Sequence, residues 1–436
     1  MKYHATYSRF KESNVAWLGE IPKHWSVTRF KYLFDLNPTK SAVANRRYAL
    51  CSFLPMEKLK TDTIVLDEIR VVDEVYEGYS YFSDGDILIA KVTPCFENRN
   101  IAVAADLTNR IGFGSTEINV IRAKSSINTR FLYYRLQEDQ FRRIAISEMT
   151  GTGGLKRVPS ELFQVFKVAI PPYNEQAVIS AEIDKEIERI DKLVSKKNKF
   201  VELLKEKRQA LITHSVTTGI VKNANLQESG IKWVEQVPSH WEVVPGIWLF
   251  AESKETARED DQHLSATQKY GVIPLSEYER LENRQVTHAI KNLEKRKHVE
   301  LDDFVISMRS FQGGIERVKA RGCVRSSYVV LKASDEADVD YFAYLFKSSA
   351  YIQGLQATSS FIRDGQDLNY GNFRQVKLPK PPLEEQKRIA QYLNQQTARI
   401  DALIEKTQHS VALLTERRAA FITAAVTGQI DLRGEE

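Results

Sequence analysis

The side chains of this chain that could do chemistry are hydrogen-bond donors and acceptors on loops. Lys91, Thr93, Asn98, Arg99 and Asn100 crowd the stretch after an apolar run. Thr152, Lys156 and Arg157 sit in a glycine-rich basic turn, Thr150-Gly151-Thr152-Gly153-Gly154-Leu155-Lys156-Arg157. Farther along, Arg309, Ser310, Gln312 and Arg317 form a comparable group, and Ser360, Arg363, Gln366 and Asn369 another. Arg and Lys pair with guanine edges, and Asn and Gln with adenine edges, so clusters of these types suit a nucleic-acid groove. Glycines beside them let backbone amides approach phosphate. Taken singly, each residue reads as a solvated loop side chain; as clusters at matching places they form the candidate base-reading set.

Catalytic sets are incomplete. Ile170-Pro171-Pro172-Tyr173 lacks the Asn or Asp that amino-methyltransferases place before Pro-Pro-Tyr, and Lys380-Pro381-Pro382-Leu383 lacks it as well. Asp86 and Lys91 suggest a metal-dependent nuclease, but position 89 is Ile where a ligating carboxylate is needed. Gly112-Phe113-Gly114 is no nucleotide fingerprint, and the phosphate-loop signature GxxxxGK(S/T) does not occur. Cys51, Cys95 and Cys323 show neither CxxC spacing nor a His/Cys cluster, so disulfides and zinc are not expected. The expectation is a chain with no catalytic residue, no metal site and no cofactor of its own.

The elements that must position these loops occur twice. Trp17-Leu18-Gly19-Glu20-Ile21-Pro22-Lys23-His24-Trp25 returns 216 residues later as Trp233-Val234-Glu235-Gln236-Val237-Pro238-Ser239-His240-Trp241. Pro171-Pro172-Tyr173-Asn174-Glu175-Gln176 returns at an offset of 210 as Pro381-Pro382-Leu383-Glu384-Glu385-Gln386, and 171–217 matches 381–427 at 20 of 47 positions, which makes the chain two copies of one unit. Each copy is a body of roughly 150 residues, an ordinary domain size, followed by a long charged segment.

In those segments Ile183, Ile187, Ile190, Val194, Lys197, Val201, Leu204, Arg208 and Leu211 recur at steps of four and three, and Leu393, Thr397, Ile400, Ile404, Thr407, Val411, Leu414, Arg418 and Phe421 repeat the ladder. That is a coiled-coil seam. Each segment is expected to be one helix, with its double proline in the first turn, Glu175 or Glu384-Glu385 complementing the dipole, and Gly219 or Gly428 ending it. About forty residues at 1.5 Å each give roughly 60 Å. The short connection Asn223 to Lys232 favours an antiparallel pair with a body at either end and pseudo-twofold symmetry. The tryptophans are expected to pack under the adjoining helix ends, with His24 and His240 hydrogen-bonded, and Tyr133, Tyr134, Tyr341 and Tyr344 to lie in the cores.

The bodies read as mixed α/β (α+β) domains. Strands are expected from Ile87 and at Ile118 to Ile121, with a helix from Arg130 to Arg143; Phe304 to Ser307, Tyr328 to Leu331 and Asp340 to Phe346 follow in the same order in the second copy. Residues 41–80 and 251–300 do not align, as two reading heads for different targets would not. A net charge of +5 and pI near 8.8 permit nucleic-acid binding without requiring it. No run approaches 18 apolar residues and the first residues carry no signal-peptide pattern, so a cytoplasmic protein is expected.

The ordered, duplicated motifs resemble the specificity subunit of Type I restriction-modification systems. That family has W-x-G-E-I-P-x-H-W opening each target recognition domain, L-P-x-P-P-x-x-E-Q opening each spacer helix, and A-V-T-G-Q-I-D-L-R at the end, here Ala425 to Arg433. The chain departs from it at Glu235, where the first copy has Gly19, and at Ala169-Ile170, where the second has Leu378-Pro379. The resemblance implies two tandem recognition domains, each reading half of a bipartite double-stranded DNA target, with helices that set the gap and hold two modification (methyltransferase) subunits. Two restriction (motor-nuclease) subunits would join for cleavage, and S-adenosylmethionine, ATP and Mg2+ would be bound by the partners. On this reading 1–170 is the first recognition domain, 171–218 the first spacer helix, 219–232 a linker, 233–380 the second domain, 381–428 the second helix and 429–436 a tail. A modification-only complex would have the same sequence features. A coiled-coil tether for other proteins would account for the helices but not for the Arg- and Asn-bearing loops.

Overall fold

The structure, a computed structural model, describes residues 5–152, 154–286, 295–307, 310–358 and 370–434. The chain gathers into two compact units: Met1–Lys197 with His409–Glu436, and Asn198–Gln408.

Both long segments are unbroken helices, Tyr173–Thr218 and Leu383–Val426. The prolines stand just before the first turn rather than inside it. The Pro172 carbonyl accepts the amides of Glu175 and Gln176 at 2.9 and 3.1 Å, and Pro382 does the same for Glu385 and Gln386. Gly219 and Gly428 take φ of +78° and +77°, the left-handed turn that ends a helix and that glycine adopts without steric cost. Half of the ladder is buried, namely Ile183, Ile187, Ile190, Val201, Leu204, Leu393, Thr397, Ile400 and Thr407, and the other positions are half-buried.

In the first unit the start of the first helix lies along the end of the second: Ile179, Ile183 and Ile187 share a core with Ile422, Ala425 and Val426, and Arg417 pairs with Glu186 at 2.7 Å. In the second unit Ile212 and Val216 share a core with Ile389, Ala390 and Leu393. The helices are therefore antiparallel. The arginines that interrupt the seam are tied: Arg208 to Asp401 at 2.9 Å, and Arg418 to Asp191 at 3.5 Å and to Asp62. Since 208/418 and 191/401 are repeat partners, one ion pair recurs with the helices exchanging roles, a device that sets register.

Each body is built on an antiparallel sheet. In the first unit the order is Phe34–Leu36, Ile118–Ala123, Ile87–Ala90, Ile101–Val103. In the second it is Phe250–Ser253, Val329–Ala333, Phe304–Ile306, Glu316–Arg317. Ile87–Ala90 and Phe304–Ile306 are apolar at every position because both faces are covered: Ile87 and Ile89 enter the core shared with the long helices, while Leu88 and Ala90 enter an outer core. Phe304 and Ile306 divide from Val305 in the same way.

Outside these sheets the bodies differ. The first unit adds a second four-stranded sheet, Ile69–Val71, Leu50–Leu54, Ile111–Gly114 and Ser80–Ser83, around Phe53, Tyr81 and Phe113. The second has two short ladders, Leu264–Thr267 with Gly271–Pro274 and Lys297–Val299 with Gly322–Val324.

Two expectations need correction. The helix expected over 130–143 is two, Thr129–Arg135 and Asp139–Ser147, because the extended residue Glu138 caps the second, its carboxylate accepting the Phe141 amide at 3.0 Å. The second copy breaks at the matching Ser348, between Val339–Lys347 and Ser349–Gln356. The stretch expected as a linker contains the strand Leu226–Ile231, which pairs with Val234–Pro238 as Phe10–Glu12 pairs with Glu20–Pro22.

Candidate nucleic-acid interface

In the first unit two loops that are sixty residues apart in sequence are fastened together. Thr93 donates its hydroxyl to the Gly154 carbonyl at 2.8 Å and accepts the Lys156 amide at 3.0 Å, while its own amide bonds the Lys156 carbonyl at 2.9 Å. Lys91 joins them through its carbonyl, which accepts the Val158 amide at 2.8 Å. The turn depends on Gly151, where a Cβ would stand 2.2 Å from the Leu155 carbonyl oxygen. Thr152 and Lys156 are exposed. Arg157 is exposed too, but its guanidinium grips Glu117 at 2.9 and 3.2 Å from Nε and holds that carboxyl below its ordinary range. Lys91, Thr93, Thr152, Lys156 and Arg157 thus form one surface.

Asn98, Arg99 and Asn100 stand on the next turn and behave differently. Arg99 bonds Asp139 at 2.7 Å and the Gln137 carbonyl at 3.2 Å, so it ties the turn to the following helix. Asn100 is half-buried and Asn98 exposed.

In the second unit Ser310 is fully buried, and its hydroxyl accepts the Ser307 amide at 2.9 Å. It closes a turn and cannot meet a groove, which corrects its assignment as a reader. Arg317 is held between Asp302 at 2.6 Å and Asp340 at 2.5 Å, with 17% of its side chain exposed. Gln312 is exposed. Arg309, Ser360, Arg363, Gln366 and Asn369 lie outside the described residues.

Beneath both surfaces the bodies are anchored to the long helices by one repeated set of bonds. Glu175 accepts hydrogen bonds from Tyr7 Oη at 2.8 Å and Trp25 Nε1 at 3.0 Å, and meets His24 Nε2 at 2.7 Å. Burial and the Glu175 charge push the Tyr7 hydroxyl well above its ordinary pKa, so it stays a donor. Glu385 meets His240 Nε2 at 2.7 Å. Gln176 accepts the Asn128 amide at 2.7 Å and donates to the Pro171 carbonyl; Gln386 accepts the Asp338 amide at 2.8 Å and donates to Pro381. Tyr134 bonds Asp184, and at the matching place Tyr344 bonds Asn394.

Trp25 and Trp241 are buried at these anchors as expected. The outer tryptophans are elsewhere. Trp17, 39% exposed, stacks on Phe166 with centroids 5.2 Å apart, and Trp233 meets Tyr351 edge-on at 5.6 Å. Tyr133, Tyr134 and Tyr341 are buried, and Tyr344 is half-buried.

Residues 250–412 match the family model of the Type I restriction modification DNA specificity domain. The chain is similar to type I specificity subunits over this stretch. The EcoAI type I restriction enzyme specificity subunit of Escherichia coli is 38% identical over 160 residues, 36% of this chain and 27% of that one, so the match spans about a quarter of that relative's length. The putative MjaX specificity subunit of Methanocaldococcus jannaschii is 21% identical over 441 residues, 97% of this chain and 98% of that one. A chain from a structure described as the basis of complex assembly and conformational transition of the type I R-M system shares the fold, with a TM-score of 0.70 at 17% identity over 93% of this chain and 98% of that one.

In the sequence alone the motif glutamates suit the helix dipole and the glutamines have no evident role. The structure makes Glu175, Glu385, Gln176 and Gln386 the side chains that fix each body to its helix. The signal was available, since this Glu-Gln pair is unchanged between copies while its neighbours vary.

Proposed function

We propose that this chain is the non-catalytic DNA-reading member of a type I restriction-modification complex. Each unit binds one half of a bipartite double-stranded target, and the long helices set the gap between halves and dock two modification subunits. Two restriction subunits join for cleavage. Methylation and ATP-dependent cleavage belong to those partners, which carry S-adenosylmethionine, ATP and Mg2+, and the complex works in the cytoplasm.

The observation that carries this reading is the use of one anchor set under two unlike bodies. Glu175-Gln176 and Glu385-Gln386 make matching bonds, whereas the outer sheets and loops differ. A device that reads two different words at a set spacing needs that combination. The fastened loops of the first unit offer Lys91, Lys156 and Thr152 with glycine-exposed backbone, the mixture of phosphate and base-edge chemistry a groove requires.

The test is to map methylated adenines in DNA from cells carrying the complex, with the natural helices and with seven residues removed from each. Shortening is expected to change the permitted gap and leave both half-sites intact. An unchanged gap, or a target without a gap, sinks the reading.

A further inference from the structure

The two units differ at the junction of body and long helices. In the first, a tight turn bridges Leu59 to Ile64 and carries Asp62 at φ +60°. Its carboxylate sits between the Arg418 guanidinium and the Tyr133 hydroxyl. At the repeat-related place the second unit has Arg208 for Arg418 and Ala343 for Tyr133. There a solvent-open cleft of about 520 Å³ is lined by Arg208 and Ala343 among others. Five cationic side chains and two carboxylates form its wall.

Much of that charge is already paired: Arg208 with Asp401, Arg317 with Asp302 and Asp340, Lys347 with Glu316. Lys319 makes no ion pair among the described residues, and burial together with the Arg317 charge pushes its pKa down. Glu316, 2% exposed, keeps Oε2 without a hydrogen-bond partner among the described residues. Lys269 pairs with Glu282 and Lys319 feels the field of Asp302 and Asp340, so what the cleft offers is one cation with no carboxylate in direct contact and one buried polar atom without a hydrogen bond among the described residues.

We infer that the second unit's cleft receives an aspartate- or glutamate-bearing loop from a protein partner, taking the place that the Asp62 turn fills in the first unit. The volume lies within the few hundred Å³ typical of ligand clefts, more than a lone carboxylate needs and enough for a turn. Its wall alternates cations with Ile212, Ile315, Gln268 and Asn394, which suits a peptide's backbone and apolar side chains. A nucleic-acid backbone is instead followed by a row of free cations.

The test needs no DNA, so its failure leaves the proposed function standing. A labelled cyclic peptide with the sequence of residues 59–64 is titrated into the full chain and followed by anisotropy. Saturable binding is expected, lost when the peptide carries Asp62→Asn and weakened about tenfold in the chain by Lys319→Ala, which removes a charge-assisted contact. Ala343→Tyr, which refills the cleft as in the first unit, should block the peptide while the melting temperature holds. No saturation up to about 10 mM, beyond any useful affinity, overturns the inference. Equal binding of the Asn peptide, indifference to Lys319→Ala or Ala343→Tyr, or displacement by inorganic phosphate or by a duplex overturns it too.

Discussion

Apart from the Asp62 turn and the cleft that stands in its place, the two units agree where a body meets the long helices and disagree where it faces away. Agreement extends to single bonds: Gln176 with Asn128 against Gln386 with Asp338, Arg418 with Asp191 against Arg208 with Asp401. Disagreement extends to whole sheets, since the Phe53, Tyr81 and Phe113 core of the first unit is replaced in the second by short ladders around Val272, Val299 and Val324. A helix seam of fixed register allows few solutions for the layer packed on it. The outer layer needs only to bury its own apolar faces, so it is free to change.

The largest test of that contrast falls on the anchors themselves. Glu175 satisfies Tyr7, Trp25 and His24, whereas Glu385 meets His240, and Trp241 Nε1 finds no acceptor among the described residues. Glu175→Ala strands two buried donors, Tyr7 Oη and Trp25 Nε1, and is expected to destabilise the first unit by about 3–5 kcal/mol. Glu385→Ala should cost the second about 1–2 kcal/mol. Hydrogen exchange resolved by unit measures both, and equal losses would show that the anchors are not graded in this way.

Burial also sets a pH dependence. In the second unit it lifts Glu316 to about 7, outweighing the opposing effect of Lys347. The folded unit therefore keeps a proton up to about pH 7 that the unfolded chain has lost above about 4.5. Its contribution is full below the lower value and is lost as pH rises through the upper. The stability difference between the natural chain and Glu316→Gln should change by up to about 3 kcal/mol over that window. A flat difference between the two melting profiles would mean that Glu316 is charged throughout. In the first unit Asp62 is also raised, burial outweighing Arg418, so Asp62→Asn gives the matching comparison.

The same contrast explains what the sequence reveals. The ladders, the helix-ending glycines and strands such as Ile87–Ala90 are written in local periodicity, which a single chain displays. The outer sheets are not, because Leu50–Leu54 pairs in parallel with Ile111–Gly114 across sixty residues and neither strand alternates apolar with polar residues. Site residues divide likewise. Their types are visible, but whether a charge is free depends on partners such as Asp139 for Arg99 or Asp302 and Asp340 for Arg317, and no local rule connects those positions. The break at Glu138 is hidden in the sequence for a similar reason. Glutamate is an uncommon cap, while Ser348 in the second copy is an ordinary one.

The smallest expected effect separates two basic residues that look alike in sequence. Lys156 is exposed on the fastened loops and makes no ion pair among the described residues. Arg317 is 17% exposed and clamped by two aspartates. If the first is a phosphate contact and the second a brace, Lys156→Ala should weaken DNA binding by the complex and lower the salt slope by about one, without changing the melting of the first unit. Arg317→Ala should leave the salt slope alone and cost the second unit about 1–2 kcal/mol, because Asp302 and Asp340 lose a shared counter-charge in a half-buried site. A gel-shift salt titration and a melting curve for each variant decide the matter. The reverse pattern, with Arg317→Ala weakening DNA binding at unchanged stability, would mean that its aspartates release it to the groove and that ion pairing in the free chain does not exclude a reader.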